Sequence, residues 1–171
     1  GYSILSSETL LDGMKRLVRY QHLLGGQQEA FSISLHNEHY ILQLDIVGNK
    51  LPTPHQSIDA MMSCLFTQIQ WILQRNISPA SIKLKRSTPA FTSRYKEVYN
   101  CTPEFNQDIN AIILDKAIVE QKLQTADKSL FEIHNNIVEQ ELKILQSDSF
   151  SSKVREHILH KLSGGELSIE T

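Results

Sequence analysis

The chain has 171 residues, 40% of them hydrophobic and 21% charged, a balance that argues against intrinsic disorder. It lacks the ~20 uninterrupted apolar residues that a membrane-spanning helix requires. With a formal net charge of -2 and a pI near 6.4, it has no basic field to hold a phosphate backbone, so most of it is not expected to bind DNA. A length of 171 residues suits one domain with an appendage.

Cys64 and Cys101 have no paired spacing and no secretory signal precedes them, which together predict a reducing, cytoplasmic setting. The start at Gly1 rather than Met reads as a trimmed chain. Tyr2, Ile4 and Leu5 predict a short extended start, and Ser6 or Ser7 with Glu8 predicts a helix N-terminus. Leu10, Leu11, Met14, Leu17, Val18 and Leu24 then follow helical spacing up to Gly25-Gly26. Arg16, Arg19 and Tyr20 flank that stripe, where a cation and a phenol either hold a carboxylate ligand, sit on a solvated surface or pack against the domain's own acidic groups.

Phe31, Ile33 and Leu35 alternate with serines, and Tyr40, Leu42, Leu44 and Ile46 alternate with Gln43 and Asp45. With turn residues His36 to His39 between them, this predicts an antiparallel hairpin with one buried face. His36 and His39 with Glu38 make a poor ligand set, so no metal is expected. After a proline-containing connector from Leu51 to His55, a helix is predicted from Ser57 to Gln74 with Asp59 as its only charge. So neutral a helix is expected to be covered on more than one side, by the sheet and by another helix or a partner subunit. Met61, Met62, Phe66 and Trp71 either line an adaptable apolar pocket or simply fill the core.

From Ile82 to Lys85 apolar and basic residues alternate as in a strand. Thr88 and Pro89 predict the start of a helix with Phe91, Tyr95 and Val98 on one face, and Asn100 its left-handed stop. Pro103 blocks continuation, and the chain returns extended from Phe105 to the strand Asn110 to Leu114. Beyond Val119 another helix is predicted from Ala126 or Asp127, with Leu130, Ile133, Ile137 and Ile144 on one seam widened by Val138, Leu142 and Leu145. Such a helix either closes the domain or pairs with its copy in a homodimer. Gln146 to Ser149 is hinge-like, Ser151 to Leu162 predicts a last helix stopping at Gly164-Gly165, and Ser168 reads as the N-cap of a further helix.

The order of Pro89, Tyr95, Tyr99, Cys101, Pro103, Phe105, Asn110 and the run Ile112 to Leu114 resembles the effector-binding domain of AraC-type transcription regulators, in the ornithine- and arginine-regulator-like branch. The opening twenty residues and Leu123, Ala126, Asp127 and Leu130 extend that resemblance over nearly the whole chain. It implies an α+β fold, an antiparallel β-sheet packed with several α-helices and followed by a helical linker. It divides the chain into an effector-binding domain at 1–123, a linker and dimerisation helix at 124–148, and, at 149–171, the first helix and turn of a truncated helix-turn-helix. DNA would then be read only through a C-terminal domain absent from this sequence. The implied partner is a small-molecule effector such as an amino acid or another small metabolite, while the Met-rich helix also leaves room for a fatty acid.

No nucleophile with a base, carboxylate pair or glycine-rich phosphate loop stands at a recognisable spacing, so no enzymatic activity and no cofactor are expected. The residues expected to meet a ligand are Arg19, Tyr20, Met62, Phe66, Trp71, Arg94 and Tyr95; those expected at a dimer contact are Leu130, Ile133, Ile137 and Ile144. The alternative is a ligand-free structural domain that only holds a dimer or a protein partner.

Overall fold

The computed structural model describes residues 2–21, 29–46 and 53–144. Its regular elements are α1 (Tyr2–Leu5), α2 (Leu10–Tyr20), β1 (Glu29–His36), β2 (His39–Ile46), α3 (His55–Leu73), β3 (Ser81–Lys83), α4 (Ser93–Tyr99), β4 (Asn110–Asp115) and α5 (Lys116–Val119). Residues 128–144 form a further helix. The chain divides within it into two compact units, Gly1–His134 and Asn135–Thr171. In the second unit the described residues, 135–144, are helical throughout. The fold is α+β, as expected from the sequence.

The strands of the first unit form one antiparallel sheet in the order β1-β2-β4-β3. Register aligns Ile33 with Leu42, Leu42 with Ile112, and Ile112 with Ile82 across it. Leu42, Ile112, Ile82 and Leu84 are buried with Met62, Phe66 and Ile69 of α3, so sheet and helix share one core. Each such side chain contributes about 1.5–3 kcal/mol by leaving water. The predicted hairpin forms, with Asn37 at φ 53° in its two-residue turn. His39 sits beside Asp115 at 3.1 Å, and among the described residues no group of three metal-ligating side chains occurs.

Several expectations need correction. Residues Tyr2–Leu5 are one helical turn rather than an extended segment. This turn packs on α2 where Gly13 leaves room; a Cβ there would lie 2.7 Å from Ile4 Cγ2. The N-cap of α2 is Thr9 rather than Ser6 or Ser7, its hydroxyl accepting from the Asp12 amide at 3.1 Å and donating to the Asp12 carboxylate at 2.7 Å. Strand β3 stops at Lys83 because the partners change there: the Leu84 amide donates to the Glu104 carbonyl, and the Lys85 amide to Asn110 Oδ1.

The helix predicted from Pro89 begins only at Ser93, with Thr92 as its cap. Phe91, expected on its buried face, is 81% exposed; Val98 is also exposed, and the inward positions are Tyr95 and Tyr99. Asn100 does stop α4 in the left-handed region, at φ 58°. It ties that end to α3, donating to the Ile77 carbonyl at 2.8 Å and to Gln70 Oε1 at 3.1 Å. α3 begins two residues early, at His55, and Gln74 caps it left-handed. Its neutral outer face is exposed in the single chain at Ala60, Cys64, Thr67, Gln68 and Trp71, so no other helix among the described residues covers it. The features expected at Leu24, Gly25-Gly26, Leu51, Pro52 and 145–171 lie outside the described residues.

Candidate functional site

The lone charge of α3 meets α4 and the segment that joins β3 to it. Asp59 Oδ2 accepts hydrogen bonds from Arg86 Nη1 and from the Tyr95 hydroxyl, the latter at 2.7 Å, and Arg86 Nη1 also donates to that hydroxyl at 2.7 Å. These side chains lie in partly buried surroundings, which strengthens the bonds relative to open solvent. Burial first, and then the hydrogen bond to Asp59, push the Tyr95 phenol up to about 12.

Aromatic rings continue the cluster inward. Tyr95 stacks on Tyr99 at 6.5 Å and meets Phe105 edge-on at 5.3 Å, while Tyr99 reaches Phe66 at 5.6 Å. Tyr99 is 1% exposed. Its hydroxyl and Asp59 Oδ1 are both buried, and neither has a hydrogen-bond partner in the protein among the described residues. Burial raises the Tyr99 phenol further still, with the Asp59 charge and Tyr95 adding to it. Burial likewise raises the neighbouring Cys101 thiol.

A second cluster joins α2 to the helix that leaves the first unit. Arg16 is buried, with its guanidinium 4.0 Å from the Phe131 ring centroid and 6.0 Å from that of Tyr20. Arg19 lies 5.3 Å from the same Tyr20 ring. Backbone links reinforce this contact. The Leu123 amide donates to the Glu8 carbonyl at 2.9 Å, the Asp127 amide to that of Ser6 at 3.3 Å, and the Thr125 hydroxyl to that of Leu5 at 2.6 Å. Asp127 caps the helix, its carboxylate accepting from the Leu130 amide at 2.9 Å.

The seven residues singled out from sequence do not form one site. Phe66 and Tyr95 belong to the aromatic cluster around Tyr99, and Met62 is buried in the shared core. Arg19 and Tyr20 sit together on α2. Trp71 is 63% exposed on α3's outer face, and Arg94 lies on the solvent side of α4, 3.9 Å from Glu97. Sequence reasoning passed over Asp59, Arg86, Tyr99 and Phe105 as site residues. Two signals pointed to them: a single carboxylate on an otherwise uncharged helix, and tyrosines spaced i, i+4 on α4. Leu130, Ile133, Ile137 and Ile144 are exposed along the helix at 128–144.

Neither cluster is built for covalent chemistry. A carboxylate held by an arginine, beside a phenol that stays protonated to about 12, is a recognition or structural device rather than a proton-transfer pair at neutral pH. No helix among the described residues is long and apolar enough to cross a membrane.

Residues 1–123 match the family described as the arabinose-binding domain of AraC transcription regulator, N-term. No curated protein matches the chain. A solved structure, transcriptional regulator CdpR from Pseudomonas aeruginosa, is similar at 14% identity and a TM-score of 0.64, over 77% of this chain and 42% of that one. At this identity the likeness speaks to the fold, and the chain spans less than half of that regulator's length. The chain therefore belongs to the arabinose-binding N-terminal domains of AraC-type transcription regulators, an effector-binding and non-enzymatic family.

Proposed function

We propose that a small effector settles between the antiparallel sheet and helices α2 and α3, and that its unequal affinity for two arrangements of the domain moves the helix at 128–144. That helix would carry the change to a C-terminal helix-turn-helix, opened by residues 149–171, and so set how two DNA-reading parts are spaced. The contact between Arg16 and Phe131 at 4.0 Å is the observation that carries this reading. It joins the middle of α2 to the first turn of the departing helix, so a ligand displacing α2 has a packed route outward.

In this reading the protein works as a cytoplasmic homodimer through Leu130, Ile133, Ile137 and Ile144, whose exposure along one helix supports a mate of the same shape. The residue pattern around Tyr95, Cys101 and Asn110 favours the ornithine- and arginine-regulator-like branch. A thermal-shift screen across amino acids, sugars and fatty acids tests the sensing role, because a ligand bound only by the folded form raises the midpoint. A stabiliser is expected. A flat response across that library would favour the ligand-free interaction domain instead.

A further inference from the structure

We infer that the junction of α3 with α4 is a ligand seat, in which Asp59 Oδ1 and the Tyr99 hydroxyl together take the hydroxyl group of a small neutral alcohol with a ring-shaped apolar body. This rests on the domain being effector-binding, as proposed above, but places the ligand at the α3–α4 junction rather than against α2, and names the chemistry that it carries.

Two polar atoms set the chemistry. Asp59 Oδ1 can only accept a hydrogen bond, whereas Tyr99 Oη can donate or accept, and both are buried without a protein partner among the described residues. They belong to one cluster: the Tyr95 hydroxyl bonds Asp59 at 2.7 Å, and its ring stacks on Tyr99 at 6.5 Å with 28° between the planes. The Asp59 charge is among the causes that raise Tyr99, as expected for neighbours. Leaving such groups unsatisfied is costly, so a site that keeps them must recover that cost elsewhere.

Charge decides among possible ligands. Arg86 already neutralises Asp59 through the other carboxylate oxygen. An ammonium at Oδ1 would therefore bury a second, uncompensated cation, and a carboxylate would meet an acceptor with nothing to donate. A hydroxyl satisfies both atoms in the correct sense: it donates to Asp59 Oδ1 and accepts from Tyr99. The rings of Phe66, Tyr95, Tyr99 and Phe105 then provide the surface for a flat or cyclic apolar body.

Admission needs one element to yield, and α4 is suited to it. It has only the residues Ser93–Tyr99, and its Thr92 N-cap makes no side-chain hydrogen bond. A helix this short, with no side-chain hydrogen bond at its first turn, opens from that end at low free energy. Tyr95 would swing with it, releasing the hydroxyl held by Asp59 and Arg86.

The test uses the full chain and three compounds sharing one ring but ending differently: 2-phenylethanol, 2-phenylethylamine and phenylacetate. 2-Phenylethanol should raise the thermal midpoint most, and Tyr99→Phe should weaken its apparent affinity roughly tenfold, as the loss of one buried hydrogen bond does. The unliganded Tyr99→Phe protein should melt no lower than the wild type, since it loses only an unpaired hydroxyl. If that variant melts clearly lower without ligand, the hydroxyl serves a structural partner such as resident water, and the seat is refuted. A stabiliser of another class, found in the wider screen and indifferent to Tyr99→Phe, refutes the seat while the effector-binding reading survives. No stabiliser in either screen refutes both.

Discussion

The sheet core and the helix at 128–144 have comparable apolar patterns and opposite fates. On α3, Met62, Phe66 and Ile69 recur at helical spacing and are buried against Ile82, Ile112 and Leu114 of the sheet. On the later helix, Ile133 and Ile137 recur at the same spacing and remain 55% and 53% exposed. Amphipathicity thus establishes that a face seeks cover, but not whether the cover lies in the same chain. A sheet supplies it for α3; for the later helix we look to a second copy.

Substitutions can break this contrast. The largest effect is expected for Phe66→Ala, which removes a fully buried ring shared by core and aromatic cluster. It should lower unfolding free energy by about 3–5 kcal/mol in urea titration; a loss below about 1 kcal/mol would mean that the core is not packed as described. Arg86→Ala strips Asp59 of its cation in a partly buried site, and about 2 kcal/mol is expected after allowing for solvent screening. Thr9→Ala, measured the same way, should cost about 1 kcal/mol through the α2 cap.

A pH titration sharpens the picture at the junction. Tyr95 keeps its proton to about 12 in the folded state, against an ordinary value of 10.0. Its contribution is therefore complete below about pH 10 and is lost as pH rises toward about 12, because the unfolded chain gives up the proton first. Tyr95→Phe should flatten that part of the alkaline stability profile. The smallest effect on the stability of the monomer is expected for Ile133→Ser with Ile137→Ser, within about 0.5 kcal/mol, since both side chains are exposed in the single chain. Sedimentation should nevertheless show a dimer turned monomer; a wild type that is already monomeric at high concentration would remove the dimer contact.

Local chemistry explains which parts were legible in the sequence. Strict alternation over Phe31–Ile46 leaves one register for the hairpin, and Asn100 stops α4 because asparagine tolerates the left-handed region. Asn110, conspicuous ahead of an apolar strand, proves to be the acceptor for Lys85 where β3 ends. Thr88 and Pro89 were misleading: they form an attractive helix start, yet the Thr88 hydroxyl accepts from Asn106 at 3.4 Å, and the helix waits until Ser93. Asp59 and Tyr95 each stood out in the sequence, but their meeting with Arg86 was beyond reach because the three come from separated stretches that only the fold brings together.

The turn at Tyr2–Leu5 rests on α2 where Gly13 lacks a side chain, and the carbonyls of Leu5, Ser6 and Glu8 hold the segment from Leu123 to Asp127. Beginning and exit of the first unit are thereby fastened to each other. A fusion or deletion at the amino end would then be felt where the chain departs toward its carboxyl end, and anyone labelling this protein for a signalling assay would do better to attach the label on the β1–β2 turn at the exposed Glu38, leaving the left-handed Asn37 in place.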